Sequence, residues 1–107
     1  KSIQPRCLVL SNEQIHPTTH GDIDIHENTA NTPSASNMTY SEWVQAIRLD
    51  EWWLYRPTDD ATQIKTKATI LANMATANSR WATYSLGVMM DRRGRLEANQ
   101  KALLETF

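Results

Sequence analysis

Cys7 is the only cysteine in 107 residues. One thiol excludes an intramolecular disulfide. It lies beside Leu8, Val9 and Leu10 with no neighbour that would activate it, so it reads as a small buried hydrophobe. Glycine is scarce, at three residues, and no Gly-rich phosphate loop, nucleophile elbow or Cys-pair zinc pattern is present. No apolar run approaches the ~20 residues of a membrane span, and no stretch has the pattern of a secretory leader. Lys1 in place of an initiator methionine leaves room for a processed leader. A surplus of one charge is missing too. Lys and Arg number 11 and Asp and Glu 12, a net of −1, too little to steer the chain strongly toward nucleic acid or an anionic membrane. These absences describe a chain without enzyme or cofactor signatures, compatible with a reducing compartment or a virus particle.

The residues present divide the chain in two. Residues 1–37 read as an extended, polar N-terminal arm and linker with room for two short β-strands. Cys7-Leu8-Val9-Leu10 is a short apolar run and Asp22-Ile23-Asp24-Ile25-His26 alternates strictly. Pro17 and Gly21 supply turn signals between them, as in a long-looped hairpin. Glu27 to Asn37 is rich in Asn, Thr, Ser, Ala and Pro, a linker composition.

Residues 38–107 read as an α-helical domain. Thr39 and Glu42 have capping-box spacing and start a first helix that runs to about Tyr55, before Pro57. Thr58, Asp59 and Asp60 can cap a second helix reaching about Met90, with apolar stripes through Ile64, Leu71, Leu86 and Met89 and through Ile70, Met74, Trp81 and Val88. A third carries Leu96, Leu103, Leu104 and Phe107. The expected fold class is therefore mainly α: two long helices and a C-terminal helix in a hairpin or three-helix unit, with the arm attached.

Three groups of residues are candidates for function. The arm's Leu8, Leu10, Ile23 and Ile25, together with Trp52, Trp53, Trp81 and Phe107, are apolar groups in excess of what a small helical unit can enclose, and read as a protein interface. Adjacent tryptophans on a helix point about 100° apart, so one pocket rarely hides both. Arg92, Arg93 and Arg95 form a basic cluster, diluted by Asp91 and Glu97, that suits phosphate. His16, His20, Asp22 and His26 have metal-ligand chemistry, but Pro17 and Gly21 break the helix that a four-residue His spacing needs; they read as a polar loop, and no metal or other cofactor is assigned.

The expected function is a non-enzymatic structural or adaptor subunit of a larger, oligomeric assembly, such as a virus particle, that binds protein neighbours through its arm and apolar helix faces. The alternative is a small helical nucleic-acid-binding protein using Arg92, Arg93 and Arg95.

Overall fold

Alternate burial along Ser41-Glu42-Trp43-Val44-Gln45-Ala46 shows what this segment is: Ser41, Trp43 and Gln45 are buried while Glu42 and Val44 are half-buried. That is the period of a strand. The computed structural model describes residues 8, 10–11, 22–35, 40–54 and 63–107. In chain order these form β1 (Leu10–Ser11), β2 (Ile23–Glu27), a 3-10 turn (Thr29–Asn31), β3 (Ser41–Ala46), α1 (Lys67–Asn78), β4 (Ala82–Gly87) and α2 (Ala98–Leu104).

The four strands lie side by side in chain order, β1-β2-β3-β4, and every pairing is parallel. Trp43 sits level with His26 on one side and Tyr84 on the other. Side chains in register share a face. Asp24, His26, Ser41, Trp43, Gln45, Ala82 and Tyr84 therefore point to one side, where α1 packs. Ile23, Ile25, Glu27, Glu42, Val44, Thr83 and Ser85 point to the other, which is only half-covered. The core is Trp43 with Ala77 of α1 and Ala82 of β4, and Tyr84 meets the indole edge-on at 5.8 Å and 80°.

Helix α1 starts at Thr66, whose side chain accepts from the Thr69 amide, and buries Ile70 and Ala77. It ends at Ser79, whose amide donates to Ala75 O. Trp81 then takes a left-handed φ of 59° and turns the chain into β4. In α2 the buried residue is Gln100, whose Oε1 accepts from the Met89 amide at 2.9 Å.

This α/β sheet overturns the mainly α expectation. Among the described residues there are two α-helices, of 12 and 7 residues, in place of two long ones and a third. The expected first helix is β3 and the loop after it, and the expected second is α1 followed by β4. The reason is physical. The buried face of β3 carries Ser41 and Gln45 beside Trp43, and its half-covered face carries Val44 beside Glu42, so polarity does not alternate along the strand. Trp43, Val44 and Ile47 thus fit helical spacing as well as strand spacing. A left-handed residue often ends a helix, but usually as glycine, and Trp81 gives no such signal. The arm's two strand runs meet β1 and β2, but side by side in parallel and without the expected hairpin. Thr39, Pro57, Thr58, Asp59 and Asp60 lie outside the described residues. No helix among those described is long and apolar enough to cross a membrane.

Candidate functional site

In parallel sheets, ligands are bound where the strands end at their carboxyl edge, because loops from neighbouring strands converge there. Here β2 runs into Glu27, Asn28 and Thr29, β3 into Arg48 to Trp53, and β4 into Gly87 to Met89. Two residues at this edge, Asn28 and Glu51, hold left-handed φ angles of 65° and 55°. Such conformations are strained for non-glycine residues and persist only where the surroundings impose them.

The surroundings of Glu51 are specific. Its Oε1 accepts from the Thr29 amide at 2.7 Å and from the Thr29 hydroxyl. Lys65 Nζ lies 3.9 Å away. Thr29 Oγ1 in turn accepts from Gln45 Nε2 at 3.2 Å. Gln45 Oε1 accepts from Asn73 Nδ2 at 2.7 Å and from the Tyr84 hydroxyl at 2.9 Å. One buried amide thus ties α1, β4 and the turn after β2 to the carboxylate at the rim. Burial raises the Tyr84 pKa above its ordinary value of 10.0.

Two further groups set the end of β3. Arg48 is buried and grips Asp50 with two bonds, Nε at 2.8 Å and a terminal nitrogen at 2.7 Å. Lys65 is buried too, and its ammonium donates to Ala46 O at 2.6 Å and Arg48 O at 3.0 Å. Loss of solvation lowers the Lys65 pKa from 10.5, with Glu51 and Asp50 opposing. The folded state therefore releases this proton more readily than the unfolded state. It follows that folding stability rises with pH through the window between the lowered folded value and 10.5. Tyr84 acts in the opposite sense, removing stability as pH climbs above 10.0. Chemical denaturation across this alkaline range should show the Lys65 rise in the native protein and not in Lys65→Met. An identical pH profile in the two proteins would discount it.

Trp53 stands against the sheet at the same edge. A Cβ on Gly87 would fall 2.5 Å from Trp53 Cζ3, so the absent side chain leaves the indole its place. Gly87 is a seat for a tryptophan.

The candidate interface residues do not form one surface. Leu10, Ile23 and Trp81 meet at the amino edge of the sheet, where they line one cavity. Leu8 is exposed, Ile25 half-buried on the open sheet face, and Trp52 exposed beside Asp50, whose Oδ1 accepts from its amide at 3.2 Å. Phe107 lies beyond α2 with Lys67 Nζ 4.9 Å from its ring centre.

Arg92, Arg93 and Arg95 occupy an exposed turn after β4, closed by Gly94 at φ 73°. Asp91 organises it, accepting from the Arg93 and Arg95 amides at 2.8 and 3.0 Å and from the Arg95 guanidinium at 2.8 Å. These bonds hold the Asp91 carboxyl below its ordinary pKa and tie Arg95 to a carboxylate. His16 and His20 lie outside the described residues. His26 is buried on the α1 side and Asp22 is exposed. Among the described residues no group of three or more His, Cys, Asp and Glu is placed to hold a metal.

Sequence reasoning missed Gln45, Glu51, Lys65, Asn73 and Tyr84. The local signal was present in Asp50-Glu51-Trp52-Trp53, carboxylates directly beside indoles, and pointed elsewhere only because a helix was expected there.

No family model matches this chain, and no characterised protein matches it in sequence. A solved structure named alpha-L-fucosidase matches it in fold, with a TM-score of 0.75 at 17% identity over 96% of this chain. The chain spans 22% of that protein's length. Identity at that level speaks to the fold alone.

Proposed function

We propose that this chain is one segment of a larger sugar-directed α/β domain and that its carboxyl edge contacts the sugar. The observation that carries the reading is the convergence of Glu51, held in a strained conformation by Thr29 and Lys65, with Trp53 seated on Gly87 at one end of a parallel sheet. A carboxylate accepts from sugar hydroxyls, and an indole presents a flat apolar surface beside it. The fold likeness to a protein named alpha-L-fucosidase agrees with this assignment and makes fucosides the first ligands to try.

The test is saturation-transfer NMR and tryptophan fluorescence with L-fucose, a panel of other monosaccharides and an aryl α-L-fucoside. Binding of a sugar is expected, weakened at least about tenfold by Trp53→Ala and by Glu51→Gln, a loss of one charged hydrogen bond or one stacking surface. Absence of binding by any of these sugars at millimolar concentration would overturn the proposal.

A second reading is association with other proteins, favoured by the exposed Leu8, Leu10, Tyr40, Leu49, Leu54 and Met90. Measurement of the mass in solution would separate the two: a monomer that binds sugar removes the second reading. The helical character expected of such a subunit is corrected, since its helix faces are replaced by a parallel sheet.

A further inference from the structure

The amino edge of the sheet, opposite the proposed sugar site, holds a cavity of about 500 Å³, a size ordinary for small-molecule sites. Tyr40 and Trp81 both line it. Their rings stand 6.2 Å apart at 77°, so two aromatic walls meet nearly at a right angle. Both are well exposed, at 72% and 59%, and Trp81 is the left-handed residue that leads from α1 into β4. A strained, exposed indole is costly on two counts. It gives up conformational free energy and leaves apolar area in water.

Leu10, Ile23 and Ala82 add apolar surface to the same cavity, and among the described residues that line it Glu42 is the one charged group. The Ser85 hydroxyl donates to Glu42 Oε1 and fixes that carboxylate. Aromatic faces carry negative charge density, and a carboxylate adds a full negative charge. Apolar walls, two rings and one anion complement a positive ion wrapped in carbon.

We propose that this cavity binds an organic ammonium ion of the methylated, choline-like kind, with its cationic head between Tyr40 and Trp81 and near Glu42. The site is independent of the sugar reading, since it shares no residue with the carboxyl edge.

Choline and its uncharged tert-butyl analogue, in which carbon replaces nitrogen, separate charge from shape. Affinity is read by isothermal titration calorimetry on the full chain, and the Trp81 indole N–H signal, identified by its loss in Trp81→Phe, reports contact in the native protein. Choline is expected to bind about three- to thirtyfold more tightly than the analogue, the span of a partly desolvated cation–π contact. Glu42→Gln should shrink that preference. Trp81→Gly should abolish binding without lowering the melting temperature, because glycine adopts the left-handed angle freely. Equal affinity for the two compounds, binding of neither, or undiminished binding in Trp81→Gly would overturn the proposal. Should that variant fail to fold, the paired titration of the native protein and of Glu42→Gln decides.

Discussion

Trp43→Ala is expected to lower folding stability by about 3–5 kcal/mol, the range for deleting a large buried aromatic side chain. Trp43 is 2% exposed and sits at the centre of β3, between β2 and β4. Three interactions disappear with it. The indole packs on Ala77 and Ala82, meets Tyr84 edge-on, and donates from Nε1 to Asn28 O at 2.9 Å. Alanine leaves a cavity between the sheet and α1. The Asn28 bond gives the variant a second consequence. Asn28 is one of the two strained residues of the carboxyl edge, so loosening it should also disturb the turn that presents Thr29 to Glu51. Urea denaturation monitored by circular dichroism measures the first effect, and the Thr29 amide shift reports the second. A loss below about 1 kcal/mol, the size of an ordinary surface change, would mean that Trp43 does not hold the two layers together.

Local sequence carried some of this fold and hid the rest for identifiable reasons. The alternation of Ile23 and Ile25 with Asp24 and His26 was plain, and β2 occupies it. The C-terminal helical turn around Lys101 was legible as well. What failed was the assignment of β3 and β4. Ala82-Thr83-Tyr84-Ser85-Leu86-Gly87 alternates in side-chain size and carries residues suited to strands, yet Ala82, Leu86 and Met89 also continue the apolar stripe of α1 at helical steps. Only the reversal at Trp81 separates the two elements, and its left-handed angle is imposed by the surrounding chain. Ser41 N donates to Trp81 O at 3.2 Å, and Arg80 reaches Pro33 O at 2.6 Å. Contacts so distant in sequence leave no trace in a local pattern.

The candidate site was legible as composition and illegible as geometry. Trp52 and Trp53 drew attention as an interface pair, but their difference lies in what each meets: Trp53 rests on a glycine of β4, while Trp52 stays exposed. Lys65 and Gln45 gave no signal, because a polar residue within a helical stripe reads as solvated. Their burial follows from the parallel sheet, which places the end of β3 beneath the chain returning toward α1. Lys65 N donates to Ile47 O at 2.8 Å and brings the side chain under the β3 carbonyls.

Gln45→Leu should destabilise the fold by about 1–3 kcal/mol for each polar partner it orphans, and should unseat Glu51 as well. The substitution nearly conserves volume, so little cavity energy enters and polar satisfaction is what the experiment reads. Gln45 is fully buried. Its Oε1 is shared by Asn73 Nδ2 and the Tyr84 hydroxyl, and its Nε2 donates to Thr29 Oγ1. Leucine satisfies none of them. Asn73 and Tyr84 are half-buried and can recover part of their loss from water, which keeps the total toward the lower part of that range. Gln45→Glu provides the decisive contrast. A glutamate there keeps an acceptor for Asn73 and Tyr84, but as an anion it is buried and faces Glu51 across Thr29. Burial and like charge both raise its folded pKa above the ordinary ~4.3 of a glutamate. The folded state then holds more protons than the unfolded state, so the stability of Gln45→Glu should recover as pH falls through the raised folded value toward ~4.3. Gln45→Leu should show no such recovery relative to the native protein. Parallel pH profiles for the two variants would show that the amide is not buried among these partners, and the link from α1 and β4 to the carboxylate at the rim would fail with it.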